Sequence, residues 1–367
     1  MNIVAIEASD PRPNLYGMSR AELASFLESM GGKRFHGDQV FRWLYARRNF
    51  DPATFTDLPK AMRARLLDEA RVTPPTIASQ VTAGDGTVKY KISVAGGGSV
   101  EAVYMLQRER VTLCVSSQVG CALMCGFCLT ARMGLVRHLS AGEIVGQVAL
   151  IQQAQDLGDR PFNVVFMGMG EPLHNYDGVV AALGLLVDPA GFGLAKRRIT
   201  VSTSGIAPAI ERLASEPVRP RLAISLNATT DAVRDTIMPV NRKYPLARLL
   251  AACRHFARVT GEKFTFEYVL LEGVNDSDGD VVRLAKLLRA NPAKLNLIPF
   301  NEVPEWLPYK SPDRTKIVAI RDRLLAMGLP VSIRWSRGAE ARAACGQLAV
   351  LENANTPKAL IMKEVSL

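Results

Sequence analysis

No uninterrupted apolar run in the 367 residues is long enough to cross a bilayer, so a membrane-spanning protein is not expected. The N-terminus carries Glu7 and Asp10 and lacks an apolar stretch behind a basic start, which argues against a secretory signal. Cysteine is sparse: six residues in a chain of this length make no disulfide framework, and none form the paired C-x2-C units of a zinc ribbon. Internal repeats and low-complexity tracts are missing too, which sets aside solenoids and long flexible linkers.

Acidic side chains are in deficit. Asp and Glu number 35 against 45 Lys and Arg, a net charge of +10. Such a balance favours an anionic partner and suits nucleic acid. A basic surface that serves only solubility gives the same count, and charge alone does not choose RNA over DNA. The length suggests about two domains, and 48% apolar residues is ordinary for a globular protein.

Residues 1 to about 15 are turn-rich, with Asp10-Pro11-Arg12-Pro13. Ser19-Arg20-Ala21-Glu22 then offers a capping box ahead of Leu23, Phe26 and Leu27, a helix that Gly31-Gly32 ends. A second helix is expected from about Asp38 to Ala46, and a third near Pro59, whose fixed φ suits a first helical turn. Lys33, Arg34, Arg42, Arg47, Arg48, Arg63 and Arg65 make this helical unit basic, a surface for phosphates or merely for water. After Pro74-Pro75 the texture becomes short strands from Ile77 to Leu106, separated by Gly84-Asp85-Gly86 and Gly96-Gly97-Gly98.

From Val111 onward, strand-like runs at Thr112–Ser116, Asn163–Met167, Arg198–Ser202, Arg221–Leu226, Lys263–Leu271, Lys294–Ile298 and Val331–Trp335 alternate with helical patterns. One helix is opened by the capping box Ser140 to Glu143; another spans Pro245–Thr260. The alternation predicts an α/β fold with a parallel sheet, and six main βα units favour an incomplete barrel over a closed one. In such folds functional groups gather in the loops after the strands.

The cysteines are concentrated between Cys114 and Cys128, where Cys121, Cys125 and Cys128 stand at C-x3-C-x2-C spacing. Three thiolates on one loop can ligate three irons of a four-iron cluster and leave the fourth open, whereas structural zinc wants four protein ligands. His138 is the nearest substitute for a fourth. Taken alone, the triplet also fits three buried structural cysteines.

The triplet, with Phe127 before its last cysteine, resembles the signature of radical S-adenosylmethionine (SAM) enzymes. Cys114 to Leu129 is similar to the RlmN/Cfr branch, which methylates RNA adenines. Gly168-Met169-Gly170-Glu171-Pro172, Ser202-Thr203-Ser204-Gly205, Ile298-Pro299-Phe300-Asn301 and Ala343-Ala344-Cys345-Gly346-Gln347-Leu348 match the same branch in order over roughly two thirds of the chain. The resemblance implies a partial (β/α)6 barrel with a [4Fe-4S] cluster on Cys121, Cys125 and Cys128. It implies a SAM site formed by Gly170, Glu171, Ser202, Ser225, Leu226, Asn227 and Asn301, with Glu171 accepting from the cofactor's ammonium. Asn227 departs from the histidine of well-known relatives. Cys345 is implied as the methyl carrier, Cys114 as the thiol that resolves it through a transient disulfide, and Glu101 as proton acceptor; Cys253, in a helix, is expected to be core.

Adenine C2 is electron-poor and does not attack a methyl sulfonium as a nucleophile, and the mechanism that the resemblance implies uses two spare thiols and two SAM per methylation. The implied substrates are 23S rRNA and tRNA; an electron donor such as flavodoxin, a monomeric state and a reducing, cytoplasmic address are expected with them. The expected organisation is a helical RNA-docking unit at 1–75, a β-linker at 76–110, the barrel at 111–350 and a tail at 351–367. Basic residues that could steer RNA are Arg132, Arg137, Lys196, Arg197, Arg198, Arg219, Arg221, Arg334, Arg337 and Arg342. Two alternatives stay open: Cfr-like methylation at C8, and a non-catalytic iron–sulfur or zinc RNA-binding module.

Overall fold

The computed structural model describes residues 10–350; the expected tail at 351–367 lies outside the described residues. Helix α1 (Arg20–Ser29) begins at the expected capping box, Ser19 accepting from the Glu22 N–H while the Glu22 carboxylate accepts from the Ser19 N–H. Helix α2 starts earlier than its periodicity suggested (Arg34–Phe41), because the His36 ring takes the otherwise free Lys33 N–H. A π-helical turn at Arg42–Ala46 continues it, and Pro59 stands just outside α3 (Lys60–Glu69), at its N-cap. The three helices share one hydrophobic core with the rest of the chain. At the seam the Tyr45 hydroxyl accepts from the Gly17 N–H, and Arg20 pairs with Asp188 at 2.9 Å.

Strands β1 (Thr76–Thr82), β2 (Val88–Ser93), β3 (Ser99–Gln107) and β4 (Arg110–Cys114) pair antiparallel in sequence. In β2 buried and half-buried residues alternate strictly, as in an antiparallel strand with one face near solvent. The segment expected as a linker is therefore the flank of the main sheet. A small hairpin of β5 (Gln118–Gly120) and β6 (Leu135–His138) brackets the cysteine loop, and α4 (Ala141–Ala154) follows, opened by the Ser140–Glu143 capping box.

The parallel part runs through β7 (Phe162–Phe166), α5 (Tyr176–Val187), β8 (Ile199–Thr203), α6 (Ala207–Ala214) and β9 (Arg221–Ser225). Helices α7 (Asp231–Ile237), α8 (Val240–Lys243) and α9 (Leu246–Thr260) lead to β10 (Phe264–Leu270), α10 (Asp278–Ala290), β11 (Ala293–Pro299), α11 (Arg314–Ala326) and β12 (Val331–Ile333). Sheet order is β1-β2-β3-β4-β7-β8-β9-β10-β11-β12, parallel from β4 onward. Six βα units plus a seventh parallel strand thus make an open sheet with β1 and β12 as its edges, the incomplete barrel expected. Leu222, Ala223 and Ile224 of β9 are all buried, the near-continuous apolar run of a strand covered on both faces. Cys253, on α9, is wholly buried in this core. No helix among the described residues is long and apolar enough to cross a membrane.

Candidate active site

The strands β4, β7, β8, β9, β10 and β11 deliver their C-terminal ends to one side, and the cysteine loop lies over them. Its backbone is pinned from several directions. Cys121 N–H donates to Gly134 O at 2.9 Å, Gly126 N–H to Ile237 O at 2.9 Å, and Leu129 N–H to Gly346 O at 2.7 Å. Met124 takes a left-handed φ of 52°, which turns the loop between its first two cysteines. Cys121, Cys125 and Cys128 line one shared cavity. Among the described residues no three His, Cys, Asp or Glu side chains converge tightly enough for a single metal ion. Three thiols facing one cavity can serve a four-iron cluster, in which each sulfur meets a different iron. Burial pushes Cys121 up to about 12 and Cys125 well above its ordinary value, and a bound metal would draw both toward the thiolate that ligation requires.

The wall opposite is made by the loops after β7, β8 and β9. Gly170 has a φ of 99°, and a Cβ there would meet the Gln118 side chain at 2.6 Å, so only glycine fits. Glu171 is buried, and its carboxylate accepts from the Leu173 N–H (3.0 Å), the Ser204 N–H (2.7 Å) and the Ser204 hydroxyl (2.6 Å). Three donors on a carboxylate with about four acceptor sites leave room for one more, such as an ammonium. Ser202, Ser225, Asn227 and Asn301 line the same cavity. Asn227 is largely spent on the protein: its Oδ1 accepts from Val269 N–H at 2.8 Å, and its Nδ2 faces the Met238 sulfur at 3.3 Å. Leu226 does not line the cavity; its side chain is in the core and its carbonyl accepts from Arg234. Asn301 donates to Cys345 O at 3.2 Å, tying the last segment to the barrel rim.

Arg234 escaped the sequence reading, since an arginine on a short helix looks like any solvated one. It is wholly buried and donates to Leu226 O (3.0 Å), Ser204 O (2.6 Å), Ser225 O (3.1 Å) and Asn241 Oδ1 (3.0 Å). The loops after β8 and β9 are fastened through this one guanidinium. Burial lowers its pKa to about 10, while the Cys125 sulfur nearby pulls it back up.

Cys345 lines this cavity and also a second one of about 510 Å³, whose other walls include Cys114, Met167, Arg334, Trp335 and Arg337. The chain thus brings the first and last cysteines of its motifs, 114 and 345, to one space. Both are free thiols; Cys114, at the end of β4, is buried, and Cys345 is exposed. Burial pushes Cys114 up to about 12, with the Cys345 sulfur adding to the rise and Arg334 opposing it. Burial of its sulfur raises the Cys345 thiol too, although the residue as a whole is exposed, and Arg334 again opposes the rise. Arg334, expected as an RNA-steering residue, borders both thiols and pairs with the buried Glu267 at 3.3 Å. The second oxygen of Glu267, also on the three-cysteine cavity, has no partner, a buried acceptor left facing a ligand space.

Glu101, on β3, lines neither cavity. Its carboxylate is buried, pairs with Lys89 at 2.8 Å and accepts from Ala349 N–H at 2.9 Å, beneath the segment that carries Cys345. Burial raises its pKa despite Lys89, so it takes up a proton more readily than an exposed glutamate. Arg137 is also removed from the RNA-facing set: both its Nη atoms bind Glu143, at 2.7 and 2.8 Å, and it donates to Gly97 O. Arg197, Arg198 and Arg221 stay available. With Arg108, Arg110 and Arg334 they border a basic cavity of about 1140 Å³ at the N-terminal ends of the strands.

Residues 115–285 match the model of the radical SAM superfamily, and residues 13–72 match that of the ribosomal RNA large subunit methyltransferase N-terminal domain. The dual-specificity RNA methyltransferase RlmN of Anaeromyxobacter dehalogenans (strain 2CP-C) is 46% identical over 355 residues, 95% of either chain. That of Geobacter sulfurreducens is 47% identical over 339 residues, 92% of either chain. The crystal structure of a radical SAM methyltransferase from Sphaerobacter thermophilus superposes with a TM-score of 0.86 at 43% identity, covering 92% of this chain and 99% of that one.

Proposed function

This chain belongs to the RlmN family of radical SAM RNA methyltransferases, which use a [4Fe-4S] cluster and SAM, and from that membership we propose that it methylates C2 of adenine in RNA through a methyl group carried on Cys345. The proposed targets are adenosine 2503 of 23S rRNA and adenosine 37 of tRNA. One observation carries the reading: Cys345 borders both the three-cysteine cavity and the cavity it shares with Cys114. A carrier has to face both the source of its methyl group and the thiol that will release it.

In this reading Cys121, Cys125 and Cys128 hold the cluster, and Gly170, Glu171, Ser202, Ser225 and Asn301 bound the SAM site, with Asn227 shaping it mainly through backbone. Once bound there, cluster and SAM supply a carbon-centred radical that takes hydrogen from methylated Cys345. The protein does the rest. The Cys345 thioether holds the carbon that joins adenine C2, so RNA and protein become covalently linked. The adduct so formed carries one unpaired electron, which the bound cluster would take back, and Glu101 accepts the C2 proton, which requires the Leu348–Ala349 segment above it to open a path. Cys114 then attacks the Cys345 sulfur; an S–S bond forms as the bond from sulfur to the RNA-borne carbon breaks, and that carbon gains a proton to become the product methyl. Arg334, bordering both thiols, favours the thiolate each must become.

The helical unit at 10–75 is proposed to dock structured RNA, a role that its basic surface supports. The arginine-lined cavity below the barrel supports an RNA strand running to the open side of the sheet. The test is methyl transfer from SAM by anaerobically reconstituted enzyme to a 23S rRNA fragment and to tRNA, followed by mass spectrometry of the nucleosides. The reading expects 2-methyladenosine; 8-methyladenosine would move the protein to C8 chemistry, and no methylated nucleoside would overturn the assignment.

A further inference from the structure

Trp335 lies two residues beyond β12, on the rim of the cavity that holds Cys114 and Cys345. A tryptophan is costly to leave in water, yet this one is 40% exposed. The guanidinium of Arg314, at the start of α11, sits 4.1 Å from its ring centroid and fixes the indole from one side. Arg314 itself does not border the cavity, whereas Trp335 does. The charge around it favours an anion. Arg110 and Arg337 border the same cavity beside Arg334, which is paired with Glu267, and the cavity's one carboxylate, on Asp85, accepts from the N–H groups of Thr87 and Gly338. An oriented aromatic surface among arginines, open to a ligand space, is the arrangement that holds single-stranded nucleic acid: cations meet phosphates, and the ring meets a base.

We propose that Trp335 is a stacking platform for one unpaired RNA base, that of the nucleotide flanking the target adenosine. The inference rests on the RNA-methylating reading and adds a contact that fixes the substrate's register. The target adenine must lie deeper, against the Cys345 sulfur; a ring at the exposed rim meets its neighbour. Every base has a stacking face, so the platform tolerates different flanking sequences while demanding that the flanking nucleotide be unpaired.

Its test measures RNA binding to the anaerobic holoenzyme, using a hairpin RNA with the target adenosine in its single-stranded loop. Abasic substitutions are placed at either flank. Trp335→Ala is expected to weaken binding of the intact hairpin about 5- to 150-fold, the equivalent of ~1–3 kcal/mol for one stacked base. Trp335→Phe, which keeps a ring, should restore most of it. With the abasic RNA that removes the stacked base, wild type and Trp335→Ala should bind equally weakly, a coupling that a merely structural role for the indole does not produce. Equal binding of the intact hairpin by wild type and Trp335→Ala overturns the proposal. So does an alanine penalty that survives both abasic substitutions. If wild-type enzyme methylates no RNA, the functional reading fails and the platform with it; if it methylates the hairpin without the coupling, the platform alone fails.

Discussion

Replacing Cys114 by alanine isolates the step at which protein and RNA part. In the proposed reaction, radical addition through the Cys345 thioether joins the two before product exists, and a second thiol is needed to break the bond to sulfur. Cys114 borders the same cavity as Cys345 and is buried, its thiol pushed up to about 12. Near neutral pH the reactive thiolate is therefore a small minority. Because the pKa is raised, the thiolate is nearly absent at neutral pH and grows about tenfold per pH unit. In wild type the covalent adduct should be transient, with a lifetime that shortens about tenfold for each unit between pH 7 and 9 while resolution limits its decay. In Cys114→Ala the adduct should accumulate and its lifetime should no longer follow this slope, whereas Cys345→Ala and the double variant should form none. Denaturing gels of protein expressed with its native RNA, run before and after nuclease, show the adduct as slower-migrating, nuclease-sensitive material. If Cys114→Ala runs as free protein while Cys345 is methylated, the resolving-thiol role is wrong.

Cys125→Ala should lose iron and SAM cleavage together while the barrel stays folded; full iron load with retained cleavage, read by metal analysis and 5′-deoxyadenosine formation, contradicts the cluster assignment. Arg234→Met should cost about 3 kcal/mol in equilibrium unfolding, because the carbonyls of Ser204, Ser225 and Leu226 lose a buried donor; a change below about 0.5 kcal/mol refutes its fastening role. Arg197→Gln, Arg198→Gln and Arg221→Gln should each flatten the salt dependence of RNA affinity, by about 0.7 in the log–log slope for each phosphate no longer neutralised; an unchanged slope in the triple variant removes the cavity from the RNA path. Burial pushes the Glu143 carboxyl up, but Arg137 and the N–H groups of Gly96 and Ser140 outweigh it and hold its pKa below the usual value. Its contribution is present above the unfolded carboxyl pKa and is lost as pH falls through the lowered one. The stability gap between wild type and Glu143→Gln should accordingly narrow under acid in urea titrations; a gap independent of pH contradicts the pairing.

Much of this architecture is legible in the sequence, because local rules and global fold agree. The capping boxes at Ser19 and Ser140 start their helices where expected, and the β7 to β11 runs are the strands that carry the glycine, serine and asparagine turns to one rim. What the sequence hides is how polar groups are spent. Asn227 looks like a free amide but is committed to Val269, and Arg137 looks like a phosphate binder but is locked to Glu143, six residues away. Arg234 reaches back 30 residues to Ser204, and Arg334 pairs with Glu267 at a separation of 67 residues, contacts beyond any local pattern. The strands at 76–107 read as a linker because pairing of β3 with β4, which fuses them to the barrel sheet, is a register rather than a motif.

The central claim is that the methyl group travels through Cys345 as a methylene, not directly from SAM to adenine. Enzyme freed of prior methyl and supplied with SAM bearing a trideuterated methyl group tests it in one spectrum. One deuterium is removed while the carbon sits on Cys345, and one solvent proton is gained when Cys114 releases it. The account predicts 2-methyladenosine whose methyl carries two deuteriums; a methyl carrying three, or one at C8, contradicts it.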